Sequence, residues 1–155
     1  MREIKRVLVV SRMTQYCRKA VRYGVSLSQK YGAELYVIHV IHDIFGTDMT
    51  GWNLSIPSLA EEYKKSVQKA KKELDAVINS EKQKGMTIRE LVKEGEPTEE
   101  ILKTVKEEHI DLLIMLAHEE GRLEHFLFGR SNEKIVRLMP CSILLVKKEP
   151  EPVSF

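Results

Sequence analysis

The sequence predicts a single α/β domain with an open five-stranded parallel sheet and helices on both of its faces. Apolar runs too short for globular helices recur along the chain, and stretches of helical periodicity separate them. Of the 155 residues, 43% are hydrophobic and 31% charged, a globular balance that one core accommodates. Short apolar runs are typical of strands buried on both faces, and their alternation with helices is typical of right-handed crossovers in a parallel sheet.

The first third of the chain predicts two strands around one helix. The valine-rich run over residues 4–10 is the first strand, and ELYVIHVI at residues 34–41 is the second. Thr14 is a suitable N-cap for the helix between them, and Gly32 a suitable end. Small or apolar residues recur at helical spacing along this helix and predict its buried face: Cys17, Ala20, Val21, Gly24, Val25 and Ser28.

A long connection and a long helix follow. Residues 42–57 contain two glycines and a proline and predict a loop, in which Trp52 and its apolar neighbours either anchor a partner or cover the sheet edge. Ser58 and Glu61 form a capping box that opens a lysine-faced helix ending near Gly85. Its apolar stripe consists of Leu59, Tyr63, Val67, Ala70, Leu74, Val77 and Ile78.

The second half predicts three more strands. Residues 87–93 form the third strand, a turn at residues 95–97 starts the third helix, and the run over residues 112–117 is a central strand because it is the most apolar in the chain. A loop then leads to a short helix over residues 132–138 and a fifth strand over residues 142–146. On the third helix, the buried side is formed by Ile101, Leu102 and Val105, and His109 helps to end it.

The charge balance, the N-terminal segment and the cysteine spacing limit the classes of function that the sequence allows. The 25 Lys and Arg are nearly balanced by 23 Asp and Glu, so we expect no nucleic-acid partner. The N-terminal segment has no long apolar region or cleavage site, and no apolar run is long enough for a bilayer, so we expect a cytoplasmic protein without a membrane partner. Cys17 and Cys141 lack metal or redox spacing and are interpreted as packing residues.

Three segments together resemble the universal stress protein family: AELYVIHVIHD at residues 33–43, the stretch over residues 92–116 with its EGEP turn, and GRSNEKIVRLMPCSILLV at residues 129–146. The resemblance covers about residues 5–146. It implies a Rossmann-like fold of the adenine nucleotide alpha hydrolase type, with a domain over residues 1–148 and a flexible tail over residues 149–155.

The resemblance also shows what this chain lacks. Nucleotide-binding members of the family carry a glycine-rich phosphate loop after the fourth strand, but here its first two glycine positions hold Leu116 and Glu119, and its serine position holds Arg130. Only Gly129 remains. Glu119 adds charge where the family places phosphate, and Arg12 stands where the family has an aspartate that accepts hydrogen bonds from adenosine.

We hypothesise that Arg12 and Glu119 pair and partly plug the former nucleotide crevice, while Arg122 or Arg130 leaves some anion affinity. No cofactor is therefore expected, with ATP as the alternative. The residues that would line such a site are Arg12, Met13, Ile41, Leu116, His118, Glu119, Gly129, Arg130 and Ser131.

The sequence contains no recognisable catalytic motif, so we expect no enzymatic activity and no catalytic residue. His118 and His125 with their neighbouring glutamates lack diagnostic metal spacing, which favours a solvated loop. His39 is interpreted as a hydrogen-bonded interior residue, and Ser11 and Ser131 as turn or capping residues.

The fifth strand is predicted to be an exposed apolar edge, which needs a cover or a partner. The resemblance implies a homodimer through Ser142, Ile143, Leu144, Leu145 and Val146. The leading interpretation is a non-enzymatic stress-response protein that binds an unknown protein partner or, weakly, an anion. The alternative is a nucleotide switch that holds phosphates at Gly129, Arg130 and Ser131.

Overall fold

A computed structural model of the chain describes residues 3–11, 17–41, 57–117 and 132–147. The helix over residues 132–138, named α4, lies between β4 and β5. The other elements, in chain order, are β1 (Arg6–Ser11), α1 (Cys17–Tyr31), β2 (Glu34–Ile41), α2 (Pro57–Gln83), β3 (Ile88–Glu94), α3 (Pro97–Glu107), β4 (Leu112–Leu116) and β5 (Ser142–Val146).

The five strands form one sheet in the order β3-β2-β1-β4-β5, and each neighbouring pair is parallel. The predicted fold class is therefore confirmed. The prediction that β4 is a central strand is confirmed, because β4 lies between β1 and β5, and β1 occupies the middle of the sheet. Both strands are covered on two faces, so hydrophobicity alone does not distinguish them.

Two apolar clusters bury the two faces of the sheet. On one face Val7 and Val9 of β1 pack with α1 and with Leu74 and Ile78 of α2. On the other face Leu8 and Val10 pack with α3 and with Ile135 of α4. The side chains of one strand alternate between the faces, so β1 contributes to both clusters and is apolar at every position from Val7 to Val10.

Helix α1 has the buried face that its sequence predicts, because all six residues of the predicted stripe are buried. The helix ends where Gly32 adopts a φ of 64°, and the Ala33 N–H donates to the Ser28 carbonyl at 2.9 Å. Helices often end at a residue in this left-handed conformation, which glycine adopts readily because it has no Cβ.

Helix α3 is capped at both ends by its own residues. The Glu96 carboxylate accepts a hydrogen bond from the Glu99 N–H at 2.9 Å, and Pro97 opens the first turn. At the other end His109 has a φ of 51° and the Ile110 N–H donates to the Val105 carbonyl at 3.0 Å, the hydrogen bond of a Schellman motif. The predicted role of His109 in ending the helix is confirmed.

Asp111 fixes the start of β1 against the start of β4. Its Oδ2 accepts hydrogen bonds from the N–H groups of Lys5 and Arg6, at 2.9 and 3.0 Å, and its own N–H donates to the Arg6 carbonyl at 3.0 Å. These bonds satisfy backbone groups that precede the β1–β4 ladder.

Some element boundaries differ from the predicted ones by a residue. Helix α2 begins at Pro57, one residue before the predicted cap Ser58, and β3 runs one residue later than predicted. Leu74 and Ile78 of the predicted α2 stripe are buried. None of the helices in the described residues combines the length and apolar composition needed to cross a bilayer. Thr14, the loop over residues 42–56 and the tail over residues 149–155 lie outside the described residues.

A Gly24→Ala substitution tests the packing of α1 on the sheet. A Cβ at Gly24 would lie 2.4 Å from Val9 Cγ2 and 3.0 Å from Leu35 Cδ1. We expect a loss of about 1–3 kcal/mol in urea unfolding, because overpacking outweighs the gain of about 1 kcal/mol in helix propensity. Ser26→Ala on the exposed side of α1 is the control and should change stability by less than about 0.5 kcal/mol. An unchanged or more stable Gly24→Ala protein contradicts the packing argument.

An Asp111→Ala substitution tests the carboxylate that joins β1 to β4. We expect the free energy of unfolding to fall by about 1–3 kcal/mol, because two backbone N–H groups lose a charged acceptor. Asp111→Asn keeps an acceptor oxygen and should lose less. Glu107→Ala removes an exposed carboxylate from α3 and serves as the control. Equal stability of all four proteins in urea unfolding would refute the role given to Asp111.

Candidate functional site

The order of the strands places a topological switch point at the carboxyl ends of β1 and β4. Helix α1, which follows β1, packs on one face of the sheet, and α4, which follows β4, packs on the other. Ligands of open α/β sheets bind at such a switch point. Among the described residues, Ser11 ends β1 and is buried, and Ala117 follows β4 and is exposed.

Asn132 links the start of α4 to the end of β4, at this switch point. Its Nδ2 donates to the Leu116 carbonyl at 2.9 Å, and the next N–H along β4, that of Ala117, donates to the Val146 carbonyl at 2.9 Å. Sequence reasoning did not single out Asn132 as a site residue. The available signal was its residue type, because asparagine at a helix start often bonds a backbone group through its side chain.

Few of the predicted nucleotide-site residues lie in the described part of the chain. Leu116 is the last residue of β4 and its side chain is buried in the α1 face of the core, while Ile41 ends β2. The proposed Arg12–Glu119 pair and the His118 and His125 loop lie outside the described residues, as do Met13, Gly129, Arg130 and Ser131. Their roles stay predictions.

The Glu96 carboxylate caps the N-terminus of α3. Partial burial by itself raises the pKa of Glu96, but hydrogen bonds from the Glu99 and Thr98 backbone outweigh it and hold that pKa below the ordinary value. An anionic side chain therefore occupies the positive end of this helix at neutral pH. An external phosphate would meet that charge, so this helix end is a poor anion site.

The outer edge of β5 carries exposed apolar side chains. Leu145 is 44% exposed, and Ser142 is exposed beside the half-buried Ile143 and Leu144, while Val146 is buried. An open groove of about 540 Å³ runs between this strand and α4. It is lined by Ala117, Asn132, Glu133, Val136, Arg137 and Leu145.

Apolar exposure continues at the end of α4. Leu138 and Met139 are 53% and 62% exposed, and Val136 is 37% exposed. Met139 has a φ of 43°, a left-handed conformation that is uncommon for a residue other than glycine. Val136 and Leu145 line the same groove, and Leu138 and Met139 are exposed at the end of α4. We name these four apolar side chains the β5 patch.

His39 of β2, Glu90 of β3 and Lys82 of α2 form a second group, named the histidine cluster. His39 is 1% exposed, and its Nε2 lies 3.5 Å from Glu90 Oε2. Lys82 Nζ donates to the other oxygen, Oε1, at 2.6 Å. The interior position predicted for His39 is confirmed, but the predicted hydrogen bond is absent: neither ring nitrogen has a hydrogen-bond partner in the structure as described. The Glu90 carboxylate lies between the two side chains: its Oε2 is 3.5 Å from His39 Nε2, too long for a good hydrogen bond, and its Oε1 accepts from Lys82.

Burial and charge set the protonation of this cluster. Burial lowers the pKa of His39 below 6.5 and outweighs the opposing effect of Glu90, so the imidazole is neutral at pH 7. Burial alone raises the pKa of Glu90, but Lys82 and His39 outweigh it and hold that pKa below the ordinary value. The cluster therefore holds one neutral imidazole beside a carboxylate–ammonium pair.

Other nucleophiles and ligands in the described residues are inert or dispersed. Cys17 is buried, and burial raises the pKa of the Cys141 thiol above its ordinary value, which disfavours the reactive thiolate. Across the four described stretches, no group of three or more His, Cys, Asp or Glu residues is placed to hold a metal ion.

Comparisons with known proteins match this architecture. The family model described as "Universal stress protein family" matches residues 3–147. A universal stress protein of Methanocaldococcus jannaschii is 25% identical over 147 residues, which cover 93% of this chain and 82% of the relative. The solved structure of UspA from Lactobacillus plantarum has a TM-score of 0.64 at 16% identity, covering 94% of this chain and 99% of that one. A universal stress protein family protein of Arabidopsis thaliana with AMP bound has a TM-score of 0.57 at 16% identity, covering 94% and 93%. Because the family model spans nearly all of the described fold, this chain belongs to the universal stress protein family.

Proposed function

We propose that this universal stress protein is a non-enzymatic, cytoplasmic stress-response protein that acts as a homodimer joined along β5. It works by binding a protein partner or, weakly, a small anion. The observation that carries the dimer is the β5 patch, four exposed apolar side chains beside an unpaired strand edge.

The edge of β5 suits pairing with a second copy. As the last strand of the sheet, β5 has backbone groups on its outer side that no described strand pairs. In a two-fold arrangement the two β5 edges run antiparallel and supply each other's hydrogen bonds. Val136, Leu145 and Met139 then add apolar area beside the strand pair.

The opposite edge of the sheet is built differently. Strand β3 carries Arg89, Glu90, Lys93 and Glu94 within seven residues, whereas the five residues of β5 carry no charge. Charged side chains on an edge strand oppose pairing with another sheet. The contrast favours β5 over β3 as the dimer edge.

A Leu145→Lys substitution tests the dimer. It places like charges near each other across the two-fold axis, so we expect self-association to weaken at least about tenfold in analytical ultracentrifugation. Val92→Lys is the matched control, because Val92 is 60% exposed on the β3 edge and should leave the dimer intact. A wild-type protein that stays monomeric, or equal weakening by both substitutions, would contradict pairing through β5.

A second candidate function is an adenine nucleotide switch. It is favoured by the switch point between β1 and β4 and by the fold shared with the AMP-bound Arabidopsis relative. Against it stand Arg12, Glu119 and Arg130, which replace the residue types that nucleotide-binding members carry. In this alternative, backbone amides near Gly129 hold the phosphates and arginines replace the lost contacts.

Isothermal titration calorimetry of nucleotide-stripped protein with magnesium ATP separates the two functions, with AMP and inorganic phosphate as further ligands. We expect no saturable binding of ATP up to millimolar concentration, because Glu119 repels phosphate and Arg12 cannot accept hydrogen bonds from adenosine. The double variant Arg12→Asp, Glu119→Gly should bind ATP more tightly than wild type, by about tenfold or more. Glu107→Ala is the control, because it removes a carboxylate from α3 and not from the proposed nucleotide site. Micromolar binding of ATP to the wild type would replace the first function with the nucleotide switch.

A further inference from the structure

The histidine cluster joins three elements of the fold, and its His39 is the register partner of Ser11, the residue that ends β1. His39 lies on β2, Glu90 on the neighbouring β3, and Lys82 in the last turn of α2. The Lys82–Glu90 hydrogen bond attaches the end of α2 to the edge strand. His39 lies beneath this attachment at 1% exposure.

The hydrogen-bonding capacity of the neutral His39 imidazole is not used at this position. It offers one donor and one acceptor, and neither nitrogen has a hydrogen-bond partner in the described structure. Most buried polar groups in proteins are paired, and an unpaired one calls for a reason other than stability. The nearby carboxylate is engaged by Lys82 at 2.6 Å and stays 3.5 Å from His39 Nε2.

The charged groups around His39 and its burial determine whether protonation of the ring is favourable. Glu90 and Asp75 favour the charged imidazolium, Lys71 opposes it, and burial opposes it most strongly. Asp75 and Lys71 both belong to α2. Moving this part of α2 away from the sheet would expose the ring to water and remove the dominant opposition, so charging His39 and opening α2 favour each other.

We propose that the histidine cluster is a proton-operated latch: neutral His39 lets residues 71–83 of α2 stay closed on the sheet, and protonation of His39 releases them. Release exposes Leu74 and Ile78, which are buried in the closed form. Mild acidification thereby uncovers an apolar surface at α2, independently of the dimer and of any nucleotide.

The direction of the pH dependence follows from the lowered pKa of His39. Because the ring binds a proton more readily when exposed, the open form takes up the proton first as pH falls below about 6.5. The open population then rises by at most about tenfold per pH unit, until the closed form is protonated as well. Above the ordinary histidine pKa the latch is closed and insensitive to pH.

Hydrogen–deuterium exchange of the full chain between pH 7.5 and 5.5 tests the latch, with rates corrected for the intrinsic pH dependence of exchange. We expect the protection of residues 71–83 to fall by up to about tenfold per pH unit below 6.5, while that of α3 changes less than about twofold. His39→Gln should abolish the pH dependence. His109→Asn removes an exposed histidine, keeps a residue type that tolerates the left-handed conformation, and should retain the dependence.

Several results would overturn the proposal. These are equal loss of protection in α2 and α3, which indicates global acid unfolding, or a pH response that survives in His39→Gln. If His39→Gln does not fold, His39→Leu supplies the same non-titrating test. Independently, the His39 imidazole in the wild type should titrate below the ordinary histidine pKa of 6.5 by nuclear magnetic resonance, and a midpoint at or above that value contradicts the latch.

Discussion

The structure depends on β1 being buried on both faces while it pairs in parallel with β2 and β4. Val7 and Val9 pack toward α1 and α2, and Leu8 and Val10 toward α3 and α4. Each layer of helices therefore closes over the same strand. Helix α1 comes closest, at Gly24, where hydrogen replaces a Cβ that would lie 2.4 Å from Val9. Register at the other end is held by the Asp111 carboxylate, which joins the two central strands before their ladder begins.

This arrangement separates the possible functional surfaces. The switch point lies at the carboxyl ends of β1 and β4, whereas the proposed dimer contact lies at one edge of the sheet. The edges differ in chemistry: β3 is charged, and β5 is uncharged and apolar. The groove beside β5 includes Ala117 and Asn132, which also lie at the switch point, so a dimer through β5 would adjoin that site. The capped start of α3 removes one helix end from the places where an anion can bind.

His39 is the largest of the buried polar side chains among the described residues, the others being Ser11, Ser28, Thr98 and Thr104. An unmade hydrogen bond on a buried polar group costs about 1–3 kcal/mol, an amount that the apolar burial around β2 can offset in a stable domain. Tyr36, on the opposite face of the same strand, shows the usual outcome, because its hydroxyl donates to Glu34 at 2.9 Å. At His39 the neighbouring carboxylate is instead engaged by Lys82, which links α2 to β3.

The sequence by itself determined the elements, because short apolar runs and helical spacing are local properties: β2, β5 and the buried face of α1 follow directly from it. The resemblance of three segments, and not this spacing, indicated the family. It also indicated the loss of the glycine signature, which is a matter of residue type. Only the tertiary structure decided which strand lies in the middle of the sheet, that Asn132 bonds the Leu116 carbonyl, and that the Glu90 carboxylate lies between Lys82 and His39. These depend on which distant side chains approach within hydrogen-bond distance, and neither spacing nor composition encodes such distances.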